Sequence, residues 1–487
     1  MIKNYINGVW LDSPTSFTTY NPATGEAIAQ VAEATAEQVA MATQAAKEAF
    51  PAWANMPVKQ RCQIINRIGD LILDNVETLA ELETRDTGLP LYQTRNALIP
   101  RAADNFYFFA ETAKQMNGHT YPVDDQMLNY TLYQPVGVCA LISPWNVPFM
   151  TGTWKSAPCL ALGNTAVMKQ SELSPMTTNF LGQIMEEAGV PKGVYNIVHG
   201  HGRTTGQALI SDHNVNAISF TGGTETGKNI IATAGLKKFS MELGGKSPVM
   251  IFDDCDWERA MDAALFGIFS INGERCTAGS RIFVQESIYE RFCDEFAQRA
   301  ANIRCGDPMS METKVGSLIS QSHYEKVTGY IRLGIEEGAT LLCGGPEKPD
   351  YLPEHLKDGH FVAPTVFRDV NNQMRIAREE IFGPVAVLIP FTNEDDVIAM
   401  ANDNEYGLAS YLWTQDNGRV HRVSRQIESG MMFVNSQNVR DLRTPFGGVK
   451  ASGTGREGGL FSFEVFTEPK NICISLGHHP IPKWGVK

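Results

Sequence analysis

Two short polar stretches of the sequence carry residue types that could perform covalent catalysis. Cys276 lies in Gly273-Glu274-Arg275-Cys276-Thr277, and Glu242 begins Glu242-Leu243-Gly244-Gly245-Lys246. A cysteine thiolate is a strong nucleophile, and a cationic neighbour such as Arg275 could stabilise it. A carboxylate on a separate glycine-flanked segment could act as a general base. Because a single cysteine is more often a buried apolar residue than a nucleophile, these two stretches by themselves only suggest such a site.

Two glycine-containing turns could hold a phosphate group. The first, Gly200-His201-Gly202 followed by Gly206, comes after an apolar segment, but its final spacing differs from the dinucleotide-binding fingerprint. The second turn runs from Phe220 to Gly227 and leads from an apolar segment into a helical pattern. Glycines there would let backbone amides and a helix N-terminus approach a pyrophosphate. An ordinary turn between a strand and a helix is the alternative for both.

The elements that must position these residues alternate between strands and helices. Short runs rich in β-branched residues predict strands, and apolar residues that recur at helical spacing predict helices. The strands predicted in this way are 165–168, 194–198, 217–220 and 248–252, and the helices between them are 177–188, a start at 204–210, and 224–233. This succession is typical of an α/β fold with a parallel sheet that binds a nucleotide.

Further elements are predicted on both sides of this series. Thr35 and Gln38 form a capping-box pattern, which predicts a helix over 35–53. The remaining predictions are a helix over 60–84, a helix over 258–271, an extended excursion or hairpin at 128–142, and an edge strand at 471–476.

Composition and charge limit the class of protein. A chain of 487 residues is too long for one hydrophobic core and predicts two or three domains. Its net charge of −13 argues against nucleic acid as a partner, which would require a basic face. We find no basic leader and no apolar run long enough to cross a membrane, so neither secretion nor membrane insertion is expected. Nine scattered cysteines without a C-x-x-C pair indicate neither a disulfide framework nor a metal site, which favours the cytoplasm.

Motifs spread over nearly the whole chain resemble those of the aldehyde dehydrogenase superfamily. Cys276 follows Glu242 by 34 residues, which is the separation that the family keeps. The other matching motifs are Asn21-Pro22-Ala23-Thr24-Gly25, Pro144-Trp145-Asn146-Val147-Pro148, Lys169-Gln170-Ser171-Glu172, the turn from Phe220, Glu379-Glu380-Ile381-Phe382-Gly383-Pro384, Pro445-Phe446-Gly447-Gly448-Val449-Lys450 and Ser452-Gly453-Thr454-Gly455-Arg456-Glu457. So many motifs in one order make the resemblance specific.

The resemblance implies an α/β architecture with three parts. A Rossmann-type domain that binds NAD is expected over 1–122 and 138–244, and an α/β catalytic domain over 245–446. A small β excursion, made of 123–137 and 465–480, is expected to pair between subunits. Because an unpaired edge strand invites association, a homodimer or homotetramer is predicted.

The resemblance also implies the oxidation of an aldehyde to a carboxylic acid through a thioester. Cys276 would attack the aldehyde carbon, while the side-chain amide of Asn146 and the backbone N–H of Cys276 stabilise the oxyanion. A hydride would then pass to the nicotinamide cofactor, and Glu242 would activate the water that hydrolyses the thioester. Lys155 and Glu468 match positions proposed to support proton transfer, although a structural salt bridge explains either residue equally well.

For the cofactor, the resemblance places Lys169 and Glu172 on the adenosine ribose, and Glu380 and Phe382 on the nicotinamide ribose. The carboxylate of Glu172 would repel a 2′-phosphate, so NAD is favoured over NADP. Gly223 stands where the family often has a serine, which leaves only backbone amides to hold the pyrophosphate. The other residues expected at the cofactor are Ile142, Ser143, Pro144, Trp145, Gly202, Phe220, Thr221, Gly222, Gly227 and Leu243.

Four arginines near the expected substrate entrance predict a small aldehyde that carries carboxylates, and their number favours a dicarboxylate. They are Arg101, Arg275, Arg440 and Arg443. Arginine binds carboxylates through two parallel hydrogen bonds, so such a cluster is unexpected for a plain aliphatic aldehyde. The alternatives are solvated surface arginines, another small substrate such as succinate semialdehyde or betaine aldehyde, a thiol hydrolase, and a fold retained without turnover.

Overall fold

The computed structural model describes residues 1–477 and 479–485. Within these residues, helices pack on two large and mostly parallel sheets, and three small sheets are antiparallel. The strands are β1 Asn4–Ile6, β2 Val9–Leu11, β3 Thr15–Tyr20, β4 Ala27–Glu33, β5 Thr120–Asp124, β6 Met127–Pro135, β7 Val138–Ser143, β8 Thr165–Gln170, β9 Tyr195–Ile197, β10 Val215–Thr221, β11 Lys238–Glu242, β12 Pro248–Ile251, β13 Arg281–Gln285, β14 Thr340–Cys343, β15 Thr365–Arg368, β16 Val385–Phe391, β17 Tyr406–Gly407, β18 Ala409–Trp413, β19 Met431–Val434, β20 Val449–Lys450, β21 Gly453–Thr454 and β22 Thr467–Ser475.

The helices share the usual amphipathic character of α/β proteins, with their apolar sides toward the sheets. They are α1 Ala36–Ala54, α2 Val58–Asp74, α3 Val76–Thr87, α4 Leu91–Gln93, α5 Ile99–Ala113, α6 Pro148–Ala161, α7 Met176–Glu187, α8 Gln207–Ser211, α9 Thr224–Thr233, α10 Trp257–Phe269, α11 Tyr289–Ala301, α12 Gln321–Glu336, α13 Arg375–Arg378, α14 Glu394–Asn402, α15 Asn417–Gln426 and α16 Phe461–Phe466. Short π-helical turns cover Thr94–Leu98 and Gly202–Gly206, and 3₁₀ turns cover Ser270–Gly273, Glu286–Ile288 and Glu354–Leu356.

The first large sheet has the strand order β2-β1-β9-β8-β7-β10-β11-β21, and its five strands from β9 to β11 run parallel. Every residue of β7 and β8 is buried. Alternate residues of β7 point to opposite faces, so Cys139 and Leu141 join one core while Val138 and Ala140 join another. Helices therefore cover both faces, as burial of a parallel sheet requires.

The second large sheet has the order β14-β15-β16-β13-β12-β18-β19 and is parallel except for β14. The α/β fold class predicted from the alternation is thus confirmed. β7 begins at residue 138, β11 ends at 242 and β12 opens the second sheet at 248. The domain boundaries at 137/138 and 244/245 stay a prediction, and β21 returns from the second half of the chain to the edge of the first sheet.

The segment 128–142 is not one hairpin, because it divides between two sheets. β6 pairs with β5 and with β22, whereas β7 enters the centre of the first sheet. Gly137, with φ of +124°, makes the turn between them. The predicted edge strand at 471–476 is confirmed and longer, since all nine residues of β22 align with β6. Residue 478, within the range 465–480, lies outside the described residues.

The local signals give mixed results. The capping box is confirmed, since Thr35 Oγ1 accepts from Gln38 N at 3.3 Å and Gln38 Oε1 accepts from Thr35 N at 3.1 Å. The single helix predicted over 60–84 is wrong, because Asn75 ends α2 by donating from its side chain to Leu71 O at 2.8 Å. Asparagine competes with the backbone in this way and favours helix ends.

Among the described residues, no helix combines the length and apolarity that a bilayer crossing requires.

Candidate active site

A cavity of about 550 Å³ collects most of the side chains to which the sequence points. Its wall contains four of the five residues expected to do the chemistry, which are Asn146, Lys155, Glu242 and Cys276. It also contains the expected substrate and cofactor residues Arg101, Arg275, Arg440, Pro144, Trp145, Thr221, Gly222, Gly223, Leu243, Glu380 and Phe382. Elements from both large sheets therefore meet at one concave site.

The other expected site residues lie outside this cavity. Ile142 and Ser143 are buried at the end of β7, Phe220 is buried in β10, and Gly227 is buried in α9. Lys169 lies near the end of β8, Glu172 follows that strand, and Gly202 begins the turn Gly202–Gly206. Glu468 and Arg443 are largely exposed, with side-chain exposures of 58% and 79%.

Glu242 is placed by the first sheet. It ends β11 between β10 and β21, and its carbonyl accepts from Gly222 N at 3.0 Å. Both carboxylate oxygens are buried without a hydrogen-bond partner among the described residues. Burial, with the nearby charge of Glu457 adding to it, holds the pKa of Glu242 well above its usual range. Burial therefore favours the neutral form of this carboxyl group.

Cys276 is placed by an unusual turn between α10 and β13. Ile271, Asn272 and Gly273 all have left-handed φ values, of 55°, 55° and 73°. A left-handed β-branched residue such as Ile271 is strained, and the surrounding contacts must hold it. The side chain of Asn272 does so, since it donates to Gly88 O at 3.1 Å and Ser317 O at 2.9 Å and accepts from the Gly316 amide at 2.7 Å.

Glycines bring the two catalytic segments together. Directly after Glu242, the backbone of Gly245 passes so close to Cys276 that a Cβ on Gly245 would lie 2.5 Å from the Cys276 carbonyl oxygen. The amide of Gly245 also donates to Glu380 Oε1 at 2.8 Å. This segment therefore fixes the base, the nucleophile and a predicted cofactor residue relative to one another, and a side chain at Gly245 would separate them.

Burial, and not Arg275, decides the charge of the nucleophile. Desolvation, with the nearby carboxyl of Glu380 adding to it, raises the pKa of Cys276 to about 11, and Arg275 and Arg440 only partly offset this. Arg275 donates to Thr277 Oγ1 at 3.1 Å and to Ser270 Oγ at 3.0 Å. Arg275 does favour the thiolate, as the sequence suggested, but burial outweighs it and Cys276 is a neutral thiol at rest.

Asn146 lies in the cavity wall and contacts the loop that carries the nucleophile. Its side-chain nitrogen donates to Glu274 O at 2.9 Å. A carboxamide nitrogen carries two hydrogens, so one N–H is left for the cavity after this bond is made. The bond also fixes the direction of that N–H, which is the preorganisation that an oxyanion donor needs.

The ion pair of Lys155 involves a glutamate that sequence reasoning missed. Lys155 Nζ lies 3.1 Å from Glu457 Oε1, and both side chains are buried. Ser219 Oγ and Ser240 Oγ also donate to Glu457 Oε1, at 2.9 and 3.3 Å. Glu468 instead points to the surface of β22 and pairs with Lys238 at 3.3 Å. Glu457 ends the motif Ser452-Gly453-Thr454-Gly455-Arg456-Glu457, which indicates the family but not the role of this glutamate.

Three of the four predicted arginines converge on the cavity. Nη2 of Arg101 and of Arg440 is buried and has no hydrogen-bond partner among the described residues. No carboxylate of the described residues lies within 4 Å of Arg101, Arg275 or Arg440, although many other arginines form such pairs. Arg443 is not brought to the cavity, because it forms an exposed ion pair with Asp441 two residues away.

These positions agree with the comparisons to known proteins. The model of the aldehyde dehydrogenase family matches residues 10–472. The chain belongs to the aldehyde dehydrogenase family. Its sequence is 64% identical over 461 residues to 5-carboxymethyl-2-hydroxymuconate semialdehyde dehydrogenase of Escherichia coli, covering 95% of this chain and 98% of that protein. It is 41% identical over 477 residues to 2-aminomuconic semialdehyde dehydrogenase of Bos taurus, covering 97% and 98%.

Solved structures agree with this aldehyde dehydrogenase fold. The crystal structure of HpcC from Thermus thermophilus has a TM-score of 0.98 and 44% identity, covering 100% of this chain and 95% of that one. The NAD⁺ complex of an aldehyde dehydrogenase from Bacillus cereus has a TM-score of 0.95 and 39% identity, covering 98% and 97%. The predicted architecture is therefore confirmed at the level of the fold.

In this aldehyde dehydrogenase, the turn before α9 has the features of a pyrophosphate site. α9 begins at Thr224 without a side-chain cap, so its first amides are available as donors. A Cβ at Gly223 or at Gly202 would meet no heavy atom within 4 Å, which leaves room beside both turns. After β8, Lys169 Nζ lies 3.2 Å from Glu172 Oε2, so this cation and carboxylate are held together.

The raised pKa of Cys276 gives a direct test of the resting site. In the aldehyde dehydrogenase without cofactor, alkylation of Cys276 by iodoacetamide is expected to accelerate about tenfold per pH unit between about pH 7 and 10, because only the thiolate reacts. Peptide mapping by mass spectrometry after timed labelling measures this rate, with the Cys276→Ala variant as the blank. A rate that levels off below about pH 8 would mean that the thiol is already ionised.

Proposed function

We propose that this aldehyde dehydrogenase oxidises 5-carboxymethyl-2-hydroxymuconate semialdehyde to the corresponding carboxylic acid, with NAD as the hydride acceptor. The observation that carries the proposal is the presence of Arg101, Arg275 and Arg440, without carboxylate partners, in the cavity that contains Cys276. A buried guanidinium without a partner is costly unless a ligand supplies the anion. The substrate named for the Escherichia coli relative carries two carboxylates, which suits this surplus of positive charge.

The residues present fit NAD. The uncapped start of α9 and the open space at Gly223 suit a pyrophosphate, and Glu380 with Phe382 lies in the cavity wall where the nicotinamide ribose would reach. Although burial opposes it, the charge of Lys169 lowers the pKa of Glu172, so this carboxylate is ionised and would repel a 2′-phosphate. When bound, NAD takes up the hydride that the aldehyde carbon loses.

Cys276 begins the reaction by forming a bond from its sulfur to the aldehyde carbon. The carbonyl electrons move to oxygen, where the free N–H of Asn146 stabilises the charge. Because the thiol is neutral at rest, its proton passes to solvent in the cavity as the carbon–sulfur bond forms. Loss of the hydride then leaves an acyl group on the Cys276 sulfur.

Hydrolysis of the thioester requires a base, and Glu242 suits this role because its carboxylate lies in the cavity wall without a hydrogen-bond partner among the described residues. It takes a proton from water while the oxygen attacks the acyl carbon, the carbon–sulfur bond breaks and the carboxylic acid leaves. The proton can pass toward Glu457, which Ser240 contacts from β11 two residues before Glu242. Lys155 pairs with Glu457 at this end of the route.

Other semialdehydes are the second candidate, because several relatives are named for 2-aminomuconic semialdehyde. Betaine aldehyde does not suit the site, since its quaternary ammonium would meet three arginines. Succinate semialdehyde, with one carboxylate, would leave part of the positive charge without a partner. A panel of these aldehydes ranks the candidates by kcat/KM.

We further propose that the three-stranded sheet joins subunits, in a homodimer or homotetramer. Leu132 and Ile474 are large apolar residues that stay exposed on its strands, and no strand of the described residues pairs with the outer edge of β22. Such an edge is normally covered by association. A cytoplasmic location also stays a proposal, supported by nine cysteines that are all free.

The substrate proposal is tested with the Arg101→Ala and Arg440→Ala variants and with Arg443→Ala as the matched control. Loss of one charged hydrogen-bonding group is worth about 2–3 kcal/mol, so kcat/KM for the dicarboxylate semialdehyde is expected to fall about 30- to 150-fold relative to a neutral aldehyde such as hexanal. Arg443→Ala should keep the wild-type ratio, because that residue is exposed. An unchanged ratio in both cavity variants would end the proposal.

A further inference from the structure

Arg440 lies between two aromatic rings of the cavity wall. Its guanidinium carbon is 3.8 Å from the centre of the Trp154 ring and 3.9 Å from the centre of the Phe446 ring. The two rings are inclined by 65° with their centres 5.7 Å apart, so they form a wedge that the guanidinium enters. Both distances are well within the range of a cation–π contact.

This wedge decides which parts of Arg440 can still bind a ligand. Aromatic rings attract a guanidinium through their faces and leave its N–H groups, which lie in the guanidinium plane, without acceptors. Nη2 of Arg440 is buried and has no hydrogen-bond partner among the described residues. A group held in this way is fixed in direction but keeps a donor edge for a planar acceptor such as a carboxylate.

Both rings are themselves fixed by the catalytic framework. Trp154 is buried on α6 and directly precedes Lys155. Phe446 exchanges two backbone hydrogen bonds with Glu457, at 2.7 and 2.8 Å. Lys155 and Glu457 form the buried ion pair of the site. The segments that carry this ion pair therefore also position the two rings of the wedge.

We infer that Trp154 and Phe446 are positioning residues that hold the Arg440 guanidinium with its donor edge toward the cavity, and that they thereby set the preference of this enzyme for aldehydes that carry a carboxylate. The inference rests on the proposed function, since it assigns Arg440 a substrate carboxylate. It extends the proposal by naming residues that act through Arg440 and do not touch the carboxylate through a polar atom.

The charges around Arg440 agree with this role. Burial, with the nearby charge of Arg101 adding to it, lowers the pKa of Arg440 to about 9. The guanidinium therefore remains protonated at neutral pH, and a counter-charge would stabilise it. An anion that enters the cavity would relieve both the desolvation and the repulsion between the two arginines. The aromatic faces keep Arg440 from turning away while the cavity holds no such anion.

The test compares variants that remove a ring with variants that keep one. Trp154→Leu and Phe446→Leu remove an aromatic face, Trp154→Phe and Phe446→Tyr retain it, and Arg440→Lys keeps the charge but loses the planar group. The measured quantity is the ratio of kcat/KM for the dicarboxylate semialdehyde to kcat/KM for hexanal. We expect this ratio to fall at least about tenfold in both leucine variants and in Arg440→Lys, mainly through a higher KM, and to stay within about threefold in Trp154→Phe and Phe446→Tyr.

Each outcome bears on one of the two levels of the proposal. A ratio that collapses in Arg440→Ala but is kept in both leucine variants would overturn the positioning role while leaving the proposed substrate intact. A ratio that is unchanged in Arg440→Ala and Arg101→Ala would instead overturn the proposed function. If a leucine variant does not fold, as judged by thermal unfolding, the aromatic replacement at that position and Arg440→Lys decide the question. A ratio that falls in Arg440→Lys and also falls in the aromatic replacements would contradict the inference.

Discussion

Replacing Cys276 by alanine is expected to lower kcat/KM for aldehyde oxidation by at least about 10⁴-fold, because no other nucleophile can carry the acyl group. The sulfur forms and later breaks the bond to the substrate carbon, so both halves of the reaction depend on it. The formation of NADH from the semialdehyde, followed by absorbance, measures the loss. The substitution removes one atom from a cavity wall and should leave the fold intact.

The matched controls are Cys255→Ala and Cys343→Ala. Both cysteines are free, as Cys276 is, and both are partly buried, but neither lies in the cavity wall. They are expected to keep nearly full activity. If Cys276→Ala kept more than about 1% of wild-type activity, the covalent mechanism would be excluded, since general binding and polarisation alone give much less.

The second large effect is expected for Glu242→Gln, which should slow steady-state turnover about 10²- to 10⁴-fold while sparing the first turnover. Glutamine has nearly the same size, and the carboxylate of Glu242 has no hydrogen-bond partner among the described residues. The variant should therefore acylate and then stall. A burst of NADH equal to the number of sites, and an acyl adduct on the Cys276 peptide by mass spectrometry, are the expected readouts.

Two further variants test whether the loss of turnover is specific to carboxylates of the cavity. Glu457→Gln should slow turnover, because its carboxylate contacts Lys155 and the serine beside Glu242. Glu468→Gln should not, because that residue is exposed and paired with Lys238. In the wild type, deacylation should rise with pH as Glu242 loses its proton through its raised pKa, and this rise should vanish in Glu242→Gln. A Glu242→Gln enzyme that turns over at the wild-type rate would show that another group is the base.

Short stretches of the sequence determine many local features of this enzyme. The helix at residues 224–233 was predicted with the bounds that the structure has, because a glycine turn, a helical pattern and the helix end are all local. The capping box at Thr35 is equally local. The nucleophile and the base are predicted for the same reason, because glycines lie close to both residues in the chain. One of these glycines, Gly245, passes beside Cys276 in the fold.

Only the tertiary structure decided properties that depend on distant partners. Lys155 and Glu457 are 302 residues apart in sequence, so no local pattern distinguishes Glu457 from Glu468 as the buried member of the pair. Arg440 and Arg443 likewise lie three residues apart in one segment, yet one enters an aromatic wedge and the other remains in solvent. The charge of Cys276 follows the same rule, because desolvation by surrounding segments outweighs the adjacent Arg275. Residue type and order therefore determined which chemistry is present, and burial, which arises only when remote segments pack together, determined which residues carry it.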